Sequence, residues 1–111
     1  MPKAVNLAVL LSGSGRSLQN LLDRIAAGRL DAQVRLVVSS RGDAYGLERA
    51  RAAGIPTALV ESRRFRNFLK MSDAVTLEIE RQPVDLIVLA GFMCFYRIPD
   101  PFLGRTMNIH P

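Results

Sequence analysis

The stretch Leu10-Leu11-Ser12-Gly13-Ser14-Gly15-Arg16-Ser17 joins two segments of different period. Before it, Val5 to Leu11 is an apolar run long enough for a buried strand. After it, Leu18, Leu21, Leu22 and Ile25 recur at helical spacing. A strand, a Gly/Ser turn and a helix together present unpaired backbone N–H groups and the positive end of a helix dipole to an anion. Glycine suits such a turn because a Cβ would hold a phosphate away and forbid some of the backbone angles required. The same residues also fit a tight strand-to-helix turn without a ligand. Two nucleotide sites are excluded. Leu18 stands where a dinucleotide fingerprint needs its third glycine, and no Gly-Lys-Ser/Thr run closes a P-loop. An anion bound here is therefore expected to be a phosphomonoester on a small substrate.

Outward from this turn, strand-like and helix-like segments alternate. Gly28 is placed to stop the first helix. Val34 to Ser39 reads as a second strand, ending at Ser40-Arg41-Gly42-Asp43, where Asp43 is a candidate cap for a helix over Ala44 to Ala53. Gly54 and Pro56 end that helix, and Thr57 to Val60 is a short third strand. Glu61 to Phe68 is basic and carries no clear period. Phe68, Met71, Val75 and Ile79 mark one face of a longer helix that must end near Gln82, ahead of Pro83. Val84 to Ala90 has the unbroken apolar core of a strand covered on both faces. Gly91 to Pro101 is a loop carrying Phe92, Phe95 and Tyr96, and Thr106 to Ile109 makes a fifth strand. The pattern predicts an α/β fold, Rossmann-like, with three αβα layers around a parallel sheet and right-handed crossovers. Ligands in such sheets sit beyond the carboxyl ends of the strands, where strand order reverses. The first turn, the Gly91 loop and Asn108 all fall at such ends.

With 111 residues, 49% apolar and 23% charged, the chain can bury one core and is neither disordered nor multidomain. The net charge of +5 comes from scattered Arg and Lys, apart from Arg63-Arg64-Phe65-Arg66, and aromatic residues are only 6%. We read this as a basic face that steers an anionic small molecule, with no nucleic-acid partner expected. One cysteine, Cys94, excludes an internal disulfide and fits a reducing cytoplasm. The longest apolar run, Leu86 to Tyr96, is too short to span a membrane. Lys3 followed by Ala4 to Leu11 only faintly imitates a signal peptide, because Asn6 interrupts it. A soluble cytoplasmic protein is expected.

At the other end, Asn108-Ile109-His110-Pro111 puts two hydrogen-bonding side chains at alternate strand positions, and so on one face. An Asn amide can donate to a developing oxyanion, and His is the usual acid/base group near neutral pH. The pair suits acyl transfer to an amine, although a single His in such a place also fits a structural residue. With one His and no cysteine pair or carboxylate cluster at ligand spacing, no metal site is expected.

These motifs, with Val9 to Gly15, Leu18-Gln19, Val38-Ser39-Ser40, Asp43 to Ala50, Ala53-Gly54-Ile55 and Leu89-Ala90-Gly91-Phe92-Met93, occur in an order that spans the chain. In them the sequence resembles the N-terminal half of the phosphoribosylglycinamide formyltransferases, folate-dependent enzymes of purine biosynthesis. The resemblance implies transfer of a formyl group from 10-formyltetrahydrofolate to the amine of glycinamide ribonucleotide. It implies that the Gly13, Ser14, Gly15, Arg16 and Ser17 turn binds the substrate phosphate, through the backbone N–H groups of the last three. It implies that Met93, Cys94, Phe95 and Tyr96 line the pterin site. It implies that Asn108 holds the formyl oxygen and His110 acts as general acid/base or electrostatic stabiliser. A related deformylase has a similar Asn-Ile-His, usually followed by a second His where this chain has Pro111.

The sequence departs from the family at several points. Ser17 stands where Asn is common, and Cys94, Phe95 and Tyr96 replace an Arg or Lys followed by aliphatics. For the family's folate-contacting Arg the local alignment offers Phe68, and Arg64 or Arg66 could serve after a small gap. Residues 1–111 are expected to be a formyltransferase N-terminal, phosphoribosyl-substrate-binding domain, truncated after Pro111 and lacking the family's catalytic Asp. The alternative is a truncated, catalytically inactive module that binds a phosphoribosyl ligand. An unpaired edge at Thr106 to Ile109 implies self-association as a homo-oligomer.

Overall fold

The computed structural model describes residues 4–109. Its elements are β1 (Val5–Leu11), α1 (Arg16–Ala26), β2 (Ala32–Ser39), α2 (Tyr45–Ala52), β3 (Thr57–Leu59), α3 (Phe68–Glu80), β4 (Leu86–Ala90) and β5 (Thr106–Ile109). Single 3-10 turns occupy Ser62–Arg64 and Asp100–Phe102. The strands form one parallel sheet in the order β3-β2-β1-β4-β5. The chain therefore runs outward from β1 through β2 to β3, then returns across the sheet to β4. That reversal puts α1 and α2 on one face and α3 on the other, as right-handed crossovers require.

Alternation along the strands divides the core accordingly. Leu7, Val9 and Leu11 of β1, with Val34 and Val37 of β2, pack under Leu18 and Ala50. Ala8 and Leu10, with Leu36, Val38 and Ile87, pack under Met71, Val75 and Ile79 of α3. The middle strands are thus apolar on both faces because both are covered. Helices α1 and α2 end at the two glycines expected. Gly28 N–H donates to Ile25 O and Arg29 N–H to Arg24 O, and Gly54 and Ile55 repeat the pattern onto Arg51 and Ala50.

The structure corrects four local expectations. Strand β2 starts at Ala32 rather than Val34, because Ala32 and Val34 both pack on the α1 side. Asp43 does not cap α2; the cap residue is Ala44, no side chain caps it, and Asp43 turns back to Arg41. The unassigned basic stretch holds a 3-10 turn and then Asn67, whose side chain accepts from Lys70 N–H at 2.9 Å and starts α3. Phe68 is not on the buried face of α3: it is about half exposed and meets Phe95 edge-to-face, with ring centroids 4.6 Å apart.

Candidate active site at the β1–β4 switch point

Reversal of strand order between β1 and β4 opens a crevice at their carboxyl ends. A cleft of about 300 Å³ lies there, lined by Gly13, Ser14, Gly15, Arg16, Ser17, Ala90 and Gly91. The five turn residues singled out from sequence thus share one cavity with the end of β4.

Gly15 is the N-cap of α1 in the left-handed conformation, with φ 76° and ψ 26°. No side chain caps α1 and no acidic residue occupies its first turn. The first N–H to close a helical turn is that of Gln19, onto Gly15 O at 2.9 Å. The N–H groups of Arg16, Ser17 and Leu18 precede it, at the positive end of the helix dipole. Arg16 is exposed while Ser17 is buried, so the cleft is lined by an exposed basic residue and a recessed serine.

Gly15 also needs its missing side chain. A Cβ there would come within 2.6 Å of Gly46 Cα in α2. Gly46 in turn sits over Leu11, whose Cδ2 would be 2.6 Å from any Cβ on Gly46, and Gly46 N–H donates to Gly13 O at 3.0 Å. Sequence reading missed this role of Gly46. The available signal was a glycine inside a helical pattern, which costs helix stability and asks for a packing reason.

The loop after β4 is fastened to the same turn. Ser12 N–H donates to Gly91 O, and Ser12 Oγ accepts from Met93 N–H at 2.8 Å while contacting Ser40 Oγ at 2.5 Å. Beyond Met93 the loop divides. Met93 and Phe95 are exposed, whereas Tyr96 is buried on the α3 side, its hydroxyl 2.7 Å from Thr76 Oγ1. Burial holds the Tyr96 phenol above its ordinary pKa of 10.0, partly offset by the Thr76 hydrogen bond. Cys94 is partly buried against the same cluster. Of the four residues expected to line a pterin site, Met93 and Phe95 are open to a ligand, and the Tyr96 ring is part of the core.

Asn108 is exposed in β5, in register with Leu89, one step before the Ile109–Ala90 pair. It shares the α3 face of the sheet with Leu89. His110 lies outside the described residues. Of the three positions weighed for the family's folate-contacting Arg, Arg64 donates to Glu61 at 2.9 Å, Arg66 is exposed, and Phe68 meets the Phe95 ring. A roomier hollow, about 590 Å³, lies between Arg41, Asp43, Glu61 and Arg63. Its charges are already paired with one another: Arg41 with Asp43, Arg63 with Glu61. The Arg41 hydrogen bond and charge hold the Asp43 carboxyl below its ordinary pKa. Among the described residues, no group of three or more His, Cys, Asp or Glu is placed to hold a metal ion. No helix among them is long and apolar enough to cross a membrane.

A family model described as formyl transferase matches residues 5–111. The chain belongs to the formyl transferase family. Among curated relatives, this formyl transferase chain is 42% identical over 107 residues to phosphoribosylglycinamide formyltransferase of Haemophilus influenzae, covering 95% of this chain and 50% of the relative. It is 39% identical over 112 residues to the Escherichia coli enzyme of the same name, covering 96% and 51%. Among solved structures, glycinamide ribonucleotide transformylase 1 from Symbiobacterium toebii superposes with a TM-score of 0.89 at 39% identity, covering 96% of this chain and 51% of that one. The chain spans about half the length of the curated relatives it matches. The five-stranded parallel sheet and its flanking helices are the Rossmann-like formyltransferase fold.

Proposed function

We propose that this chain supplies the phosphate-binding and formyl-handling half of a phosphoribosylglycinamide formyltransferase acting in the cytoplasm. The observation that carries the reading is the uncapped N-terminus of α1 at the β1–β4 crevice, in a chain whose named relatives are phosphoribosylglycinamide formyltransferases. A phosphomonoester fits the N–H groups of Gly15, Arg16 and Ser17, with no acidic side chain in the first turn of α1 to oppose it. The substrate is then glycinamide ribonucleotide, and the formyl donor is 10-formyltetrahydrofolate, lying along Met93 and Phe95.

In this reading the glycinamide amine attacks the formyl carbon, and negative charge gathers on the formyl oxygen. The Asn108 amide donates a hydrogen bond to that oxygen. His110 takes the proton released by the amine and returns it to the departing folate nitrogen as the old C–N bond breaks. The experiment is formyl transfer from 10-formyltetrahydrofolate to glycinamide ribonucleotide by the intact protein and by His110→Ala. A fall in turnover of at least about a hundredfold, with substrate binding retained, is expected from loss of acid/base catalysis. Undiminished turnover in His110→Ala would sink the assignment. Substrate binding without turnover in the unaltered protein would leave a binding module.

A further inference from the structure

We propose that Arg49 of α2 is a positioning residue for the phosphate turn, acting through the Ser14 carbonyl; the proposal rests on the reading of that turn as a phosphate site. Arg49 lies 35 positions from Ser14 in sequence, yet its Nε donates to Ser14 O at 2.7 Å. Its Nη1 reaches Gln19 Oε1 at 3.4 Å, and its guanidinium carbon sits 4.9 Å over the Tyr45 ring. The group is therefore held from three sides by the turn, by α1 and by its own helix. One position earlier, Gly46 N–H holds the Gly13 carbonyl at 3.0 Å. Helix α2 thus captures two consecutive carbonyls of the turn.

A trans peptide points its C=O and the following N–H in opposite directions. Fastening the Gly13 and Ser14 carbonyls to α2 therefore turns the N–H groups of Ser14 and Gly15 away from α2. With Gly15 left-handed and Arg16 helical, successive N–H groups converge as a nest, a concavity suited to an anion. The cleft lined by Gly13 to Ser17 lies against these same groups. Arg49 extends the donor array beyond the helix terminus and keeps the Ser14 oxygen from swinging toward a phosphate, which it would repel. Its planar fork can hold the carbonyl, the glutamine and the ring together, which a lysine cannot.

The test is titration of the intact protein with glycinamide ribonucleotide and with its dephosphorylated riboside. It uses wild type, Arg49→Ala, Arg49→Gln and Arg49→Lys, each with a melting curve. Arg49→Ala is expected to weaken the phosphorylated ligand roughly tenfold or more, the scale of one hydrogen bond to a charged group, and leave the riboside unchanged. Arg49→Gln keeps an N–H donor without the charge and recovers part of the loss; Arg49→Lys keeps the charge and recovers less. Equal weakening of both ligands, no weakening, or full rescue by Lys with none by Gln overturns the positioning role. If Arg49→Ala does not fold, the Gln and Lys variants decide the question. If wild type itself does not prefer the phosphorylated ligand, the phosphate reading fails, an outcome distinct from failure of Arg49.

Discussion

Two loops leave the carboxyl edge of the sheet at the crevice, and they are built on opposite principles. The turn after β1 is locked from outside: Gly15 presses on Gly46, and its carbonyls are held by α2. The loop after β4 is anchored at intervals and open between. Met93 N–H rests on Ser12, Arg97 N–H on Ser72 and the Tyr96 hydroxyl on Thr76, while the side chains of Met93 and Phe95 stand in solvent. A backbone cradle for a small, rigid anion needs every N–H direction fixed. A surface for a large planar ligand needs exposed apolar area and tolerates local movement. In the proposed reading the same crevice wall serves both.

Two glycines break the comparison most directly. Gly15 and Gly91 both have positive φ, 76° and 72°, so an alanine strains the backbone at either, by about 1–2 kcal/mol for a left-handed residue. Their surroundings differ. A Cβ at Gly91 meets nothing within 4 Å, whereas one at Gly15 meets backbone of α2. Gly15→Ala is expected to cost about 3 kcal/mol, with overpacking added, and Gly91→Ala only the conformational part. Paired denaturant melts isolate the packing term. Equal costs would show that α2 yields, and that the turn is less locked than its geometry implies.

Tyr96 sharpens the other side. Its raised pKa means that the folded protein holds the phenolic proton more tightly than the unfolded chain. The corresponding stability is fully present below the ordinary tyrosine pKa of 10.0 and is lost as pH rises through the higher folded value. Unfolding free energy should therefore fall with pH above about 10, and Tyr96→Phe should flatten that fall. At neutral pH the substitution costs about 1 kcal/mol, the scale of the Thr76 hydrogen bond. An unchanged alkaline slope would place Tyr96 outside the core and return it to the ligand-facing part of the loop.

The features readable from sequence were those set by period and by local turn chemistry. Apolar runs marked β1, β2 and β4, and the spacing of Leu18, Leu21, Leu22 and Ile25 marked α1, because burial on a layered sheet imposes those periods directly. The Gly13–Ser17 turn was legible because glycine and serine between strand and helix have few other uses. What escaped was long-range. Gly46 and Arg49 act on residues more than thirty positions away, and nothing near them in sequence indicates which carbonyls they meet. The loop residues 93–96 read as one apolar ligand wall, yet the structure divides them, because Tyr96 finds Thr76 and the α3 core. Phe68 was misread for the reciprocal reason. It continues the apolar spacing of α3, but as the first residue of the helix it stands half exposed, and its neighbour there is Phe95.

The start of α2 offers the finest test, since that helix carries both contacts to the turn. By sequence, Asp43 is a helix cap, and a lost Asp cap costs about 1 kcal/mol. In the structure the cap position is Ala44, and Asp43 forms a two-toothed pair with Arg41 at 3.0 and 2.9 Å, both side chains well exposed. The Asp43 carboxyl is lowered and the Arg41 guanidinium raised by the same hydrogen bond, but water and salt screen a pair so open. Asp43→Ala should therefore leave the melting temperature and the affinity for a phosphorylated ligand unchanged. A clear drop in melting temperature that persists in high salt would restore the capping role, because a hydrogen bond from the helix terminus survives screening that removes a surface ion pair. A drop that vanishes with salt would instead give the Arg41 pair a share in holding α2, and with it the Gly13–Ser17 turn.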